Sequence, residues 1–409
     1  MTHRGPTDAD AVARCWVQRV RAGDSEPWAQ WALRQAVAAP RPGAPVGGAG
    51  LPGAAQLEVV RRMAASPLAA QVHDFPALAD LVLERTGPGR GLPELPLAWP
   101  SPDGSQPPVV AAPLGARPVD PAAVPLEELV RVAVGVLGEL VLGSEPSPPS
   151  PAAAPRRLPW SRSFRVVGPP VAARRLRAAL GAAGHAEGGR RPRVLLPAPP
   201  FDDALRQAWT ARVLRGSQSS WRKFVRRRMR SGVLPPSVDL PRLAEAWAGQ
   251  VGAERVHVVV ASDDAALRRT VAEVLGIQEP AAPGPGFPSS PAEVDVLRRL
   301  NGMLRVRVDR ERHRLLLAGV AVQVMGAEAD EPLRVPDRCA DWADAQEGRM
   351  LRALEDGGYA VHGDLDAARG RSPRTADRPR RRHVLDAALA ACLRAAARRE
   401  ARPGEGAAR

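Results

Sequence analysis

The feature that most constrains this chain is the run SEPSPPSPAAAPRRLP at residues 144–159, six of whose sixteen residues are proline (Pro146, Pro148, Pro149, Pro151, Pro155 and Pro159). Proline fixes φ and supplies no amide hydrogen, so such a run joins neither a helix interior nor a sheet. It predicts an extended linker and splits the 409 residues into two differently patterned halves.

Before the linker the pattern is helical. Residues 1–37 read as helix, with Asp8 or Asp10 as cap and Val12, Trp16 and Val20 on one face. Helical spacing returns at 54–65, 75–86 and 125–142, separated by Pro/Gly-rich stretches at 39–53 and 87–124. Residues 1–143 are therefore expected to form a small helical N-terminal domain. Trp16, Trp28 and Trp31 are its expected core; a protein partner for this domain is the alternative use of the same tryptophans.

After the linker the pattern becomes α/β. Short apolar runs at 164–167, 193–196 and 255–261 alternate with helical segments at 171–183, 202–214, 217–231, 240–250, 264–275 and 291–307. That alternation predicts a parallel sheet flanked by helices. VHVVV, inside 255–261, has the near-continuous apolar character of a strand buried on both faces. A helix at 339–356, a short strand at 359–363 and a helix at 383–399 complete the domain, 160–397, and a disordered tail is expected over 398–409.

Composition adds limits. The formal net charge is +14, carried almost wholly by arginine, since Lys223 is the one lysine. The richness in Ala, Arg, Pro and Gly fits a GC-rich coding sequence, so bulk charge alone is not evidence for a polyanion partner. Three scattered cysteines, Cys15, Cys339 and Cys392, form no CxxC or Cys/His cluster, so no metal site is expected. They suit a reducing, cytoplasmic location. The apolar run LLLAGVAVQVM at 315–325 is too short to span a bilayer, so no membrane insertion is expected.

The stretch VVGPPVAARRLRAAL at 166–180 has the strand–turn–helix layout of a phosphate-binding loop. Four further segments follow in order: LPRLAEAWAGQVGAERVHVVV (240–260), AALRRTVAEVLGI (265–277), FPSSPAEVDVLRRLN (287–301) and GGYAVHGDLDA (357–367), before a last helix VLDAALAACL. Together, over residues 164–397, they resemble the sulfotransferase-like proteins common in actinobacteria. The resemblance implies a P-loop sulfotransferase-like fold. In that family a loop of the type GLPKTGTTYLQ cradles the 5′-phosphosulfate of 3′-phosphoadenosine 5′-phosphosulfate.

Here the loop departs from the family. It keeps Gly168 but has no lysine and no threonine, and Pro169 and Pro170 have no amide to donate. The resemblance therefore implies a degenerate, non-catalytic member serving as a scaffold or binding module, with no cofactor. Two alternatives remain. One is a transferase whose nucleotide-linked donor sits at Gly168 and is held by Arg174, Arg175 and the basic cluster at 222–230, since arginine binds phosphate bidentately. The other is a nucleic-acid-associated protein. Its candidate polyanion contacts are Arg222, Lys223, Arg226, Arg227 and Arg230 in SSWRKFVRRRMRSG; the plainer reading is an amphipathic helix with Trp221, Phe224, Val225 and Met229 turned inward, and a third is contact with a membrane surface. His257 reads as a packed histidine, His362 and Asp364 lie beside a strand end, and Asp263 and Asp264 read as caps of the following helix.

Overall fold

The structure is a computed structural model; it describes residues 8–35, 45–46, 51–84, 97–101, 119–144, 163–261, 263–282, 290–326, 331–365 and 376–401. The expected linker, apart from Ser144, and the part of the expected tail beyond residue 401 lie outside the described residues, while residues 398–400, expected in that tail, are the end of the last helix. The chain divides into two compact units, one built from 1–145 together with 381–409, the other from 146–380.

The first unit is helical: α1 (Asp8–Arg21), α2 (Trp28–Arg34), α3 (Ala54–Ala64), α4 (Phe75–Leu83) and α5 (Leu126–Leu142), with a two-residue antiparallel pair β1 (Pro45–Val46) and β2 (Leu97–Ala98). The single helix expected over 1–37 is two helices among the described residues. The chain turns at Gly23 with φ of 97°, a conformation that favours glycine, and Asp24 Oδ1 accepts from the Glu26 amide at 2.9 Å. Pro27 then opens α2. Trp16 and Trp28 are fully buried and Trp31 nearly so. Their indole N–H groups donate to the carbonyls of Glu26, Ala98 and Val12 respectively. The tryptophans thus build this core and leave no exposed aromatic patch of their own.

The second unit carries a sheet of four parallel strands in the order β3 (Phe164–Val166), β4 (Arg193–Pro197), β5 (Val256–Val259) and β6 (Ala360–His362). The three strands expected from the apolar runs are present, adjacent and parallel. Around them lie α6 (Pro170–Ala182), α7 (Phe201–Val213), α8 (Trp221–Ser231), α9 (Leu240–Val251), α10 (Asp264–Leu275), α11 (Pro291–Leu304), α12 (Arg310–Val324) and α13 (Ala340–Asp356). The unit is thus an α/β domain, mainly helical. Phe164, Val166, Leu195 and Val259 on one sheet face form a continuous core with Leu176 and Leu180 of α6 and Val271 and Leu275 of α10. Each large apolar side chain buried there contributes roughly 1.5–3 kcal/mol. Val194, Leu196, Val256 and Val258 point to the other face and are buried as well.

Two expectations change. The helix read over 291–307 stops at Leu304, and a separate helix, α12, follows. Its start is set by Asp309, whose Oδ1 accepts from the Glu311 and Arg312 amides at 2.9 Å each. The apolar run at 315–325 is the body of this helix, and its Leu316, Leu317, Val320 and Val324 are buried. Among the described residues no helix is long and apolar enough to cross a membrane.

The last helix, α14 (Arg381–Glu400), was expected to close the α/β domain. It belongs instead to the first unit, where it packs along α5. Alanines at 387, 388, 391 and 395 and the buried Gly135 and Gly138 of α5 keep both helix surfaces low enough for close approach. The Cys392 thiol donates to the Ala133 carbonyl at 3.3 Å. Glu400 accepts from the His73 and Asp74 amides at 2.7 and 2.8 Å.

Candidate functional site

The strand–turn–helix corner at 164–182 stands where the sequence places it, and its turn is closed. The Val167 amide bonds the Leu195 carbonyl at 3.0 Å, after which Gly168 takes a φ of 119°. A Cβ at Gly168 would lie 3.2 Å from Leu196 Cδ1, so the backbone itself accounts for this glycine. Pro169 caps α6 and Pro170 is its first residue, so two positions that would face an anion have no N–H. The Ala172 amide is taken by Gln207 Oε1 of α7 at 2.9 Å, and the Ala173 amide bonds the Pro169 carbonyl. The turn therefore has at most the amides of Gly168 and Val171 left to offer. Val171, Ala172 and Ala173 are all buried, so apolar protein atoms surround the helix start. Gln207 was not legible as part of this corner: it lies on a separate helix, and no local motif points from it to Ala172.

Arg174 and Arg175 follow one turn later. Arg175 Nη1 donates to Asp264 Oδ2 at 2.6 Å, tying α6 to the start of α10. Asp263 caps α10, its Oδ1 accepting from Ala265 and Ala266 at 2.9 and 2.8 Å. The two aspartates therefore act at the helix start, as the sequence suggests. Arg174 is exposed, and partial burial pushes its guanidinium below the usual arginine value.

α8 is strongly two-sided. Trp221, Phe224 and Val225 are buried; Met229, expected inward with them, is half-buried. Trp221 stacks on Phe224 and its indole donates to the Arg334 carbonyl at 2.8 Å. Of the expected basic contacts, Lys223, Arg227 and Arg230 are exposed, while Arg222 and Arg226 are half-buried. Arg222 pairs with Asp377 at 2.5 Å, and Arg226 Nε donates to the Arg222 carbonyl at 3.2 Å. Arg228 lies over the Phe224 ring at 5.6 Å. Its charge is disfavoured by burial, then by Arg212 and Arg227.

The sequence did not reveal that two histidines meet on the sheet. The β5–β6 register puts His257 and His362 on one face, diagonally across the strand pair. His257 Nδ1 lies 3.0 Å from His362 Nε2. Burial, then His362 and Arg193, pushes His257 down to about 4. Burial also lowers His362, against the opposite pull of Glu273. Asp364, two residues past β6, is exposed. No third ligand-type side chain joins the pair: among the described residues no group of three or more His, Cys, Asp or Glu could hold a metal ion.

No family model, no curated protein and no solved structure matches this chain.

Proposed function

We propose that this chain is a non-catalytic binding or scaffold protein whose second unit is a degenerate sulfotransferase-like domain. The observation that carries the reading is the closed start of α6. Two prolines occupy the first positions, and Gln207 holds the Ala172 amide at 2.9 Å. Sulfuryl transfer needs donors aimed at the charge that develops on the leaving oxygen. Prolines and apolar side chains supply none, and Arg175 is committed to Asp264. The three cysteines are free thiols, in keeping with a reducing cytoplasm.

The test is incubation of the full chain with labelled 3′-phosphoadenosine 5′-phosphosulfate and a mixed acceptor pool. Neither transfer nor donor hydrolysis is expected. Turnover that disappears in the R174A/R175A variant would overturn the reading and favour a transferase. A thermal-shift series gives an independent check. A nucleotide at ~100 times its dissociation constant adds ~2.7 kcal/mol of stability, and 3′-phosphoadenosine 5′-phosphate should add none.

A further inference from the structure

We infer that the outward face of α8 is a docking surface for the phosphate backbone of double-stranded nucleic acid, bound without reading of sequence. This names the partner of the binding module proposed above, and it rests on that reading.

The charge on this helix is unbalanced. WRKFVRRRMRS holds six basic residues in eleven and no acid. Lys223, Arg227 and Arg230 lie at i, i+4 and i+7, a spacing that lines them along one side of a helix over about 10 Å. All three are exposed. Asp377 pairs with Arg222, not with this stripe. Neighbouring elements add cations. Arg212 of α7 is close enough to disfavour the charge on Arg228. Arg338, in the turn before α13, and Arg226 both act on the Cys339 thiol. Such crowding is unfavourable by itself and is relieved by an array of anions rather than by one carboxylate.

The apolar side of α8 decides between kinds of polyanion. Trp221, Phe224 and Val225 are turned into the protein. An interfacial membrane helix instead presents such residues to the lipid. The same burial leaves no aromatic ring of this helix beside the cations on which an unpaired base could stack. What remains outside is charge and long flexible side chains. That chemistry holds backbone phosphates and carries no sequence information.

The experiment is fluorescence polarisation of the full chain with two unrelated ~20-base-pair duplexes, from about 50 to about 200 mM salt. Both should bind alike. The logarithm of the association constant should fall linearly with the logarithm of salt, with a slope of about −0.9 per phosphate contacted. K223E/R227E/R230E should weaken binding by at least ~10-fold and flatten the slope by about 2–3. The neutral K223Q/R227Q/R230Q should fall between, which guards against a folding defect in the reversal variant. R190E/R191E/R269E, with equal charge change on the α6–β4 loop and α10, should lose far less. Absence of binding at about 50 mM salt, equal losses in the two reversal variants, or tighter binding to single strands or phosphatidylserine vesicles would overturn the proposal. Sulfate transfer alongside intact duplex binding would overturn only the non-catalytic reading. Absence of duplex binding in an inactive protein would overturn only this one.

Discussion

His257 Nδ1 lies 3.0 Å from His362 Nε2, with the two rings stacked at a centroid distance of 5.2 Å. One ring must donate and the other accept, so the contact is lost only when both rings are protonated. Arg193 adds positive charge beside His257, and Glu273 adds negative charge beside His362. His257 titrates near 4 when folded, below the ordinary histidine value of 6.5. The unfolded chain therefore binds more protons between those values. The stabilisation is complete above about pH 6.5 and is lost as pH falls toward 4. With the ring half-exposed, the loss should be only about 1–2 kcal/mol. Thermal melts at pH 7.5 and 4.5 check it. The acid loss should shrink in His257→Asn; equal losses in both proteins would refute it.

Gln207→Leu should destabilise the second unit by about 1–2 kcal/mol, because the Ala172 amide would be left unbonded beside apolar neighbours. Urea midpoints measure this. The same variant should gain no affinity for 3′-phosphoadenosine 5′-phosphate in calorimetry. Freeing one amide does not restore those that Pro169 and Pro170 never had.

Glu293 is almost fully buried on α11 and accepts from two amides, its own cap residue Ser290 at 3.2 Å and Gly326 at 2.9 Å. Glu293→Ala should cost about 2–4 kcal/mol by leaving both donors without a partner. Glu293→Gln should cost less than half as much, because one carbonyl oxygen remains to accept. A similar loss for both variants in chemical denaturation would assign the effect to packing rather than to these bonds.

Leu385 of α14 is fully buried. Leu385→Ala should cost about 2–5 kcal/mol. The loss should fall on the first unit: hydrogen exchange should speed up in α5 and α3, while β4 and β5 stay protected. Loss of protection in the sheet instead would mean that α14 supports the second unit.

The parts of this fold that the sequence revealed are those with a local signature. VHVVV announced a strand buried on both faces, and β5 lies there. Asp263 announced a helix start, and it caps α10. The rest depends on distance along the chain. His257 and His362 are 105 residues apart, and only the β5–β6 register brings them together. Gln207 meets Ala172 across 35 residues. Asp309 caps α12 through its own side chain, but the apolar run that follows does not by itself show that it is a separate helix rather than a membrane-like stretch. α14 misled for another reason. Alanine is apolar enough to be buried and small enough to suit many surfaces, so VLDAALAACL shows that a helix is buried without showing in which core.

The return of α14 to the first unit also sets a timetable. α5 is made early and can pack against α3 and α4 at once, but the face that α14 covers must wait until the ribosome has passed residue 400. All of the second unit is synthesised in between, which at about 5–20 residues per second takes on the order of tens of seconds. By the end of that interval the sheet-bearing unit has its whole sequence available while the older unit does not. The order of completion therefore runs opposite to the order of synthesis. The newborn chain carries one uncovered face of a valine- and leucine-rich helix for just that period, which is the time at which a chaperone would have something to hold.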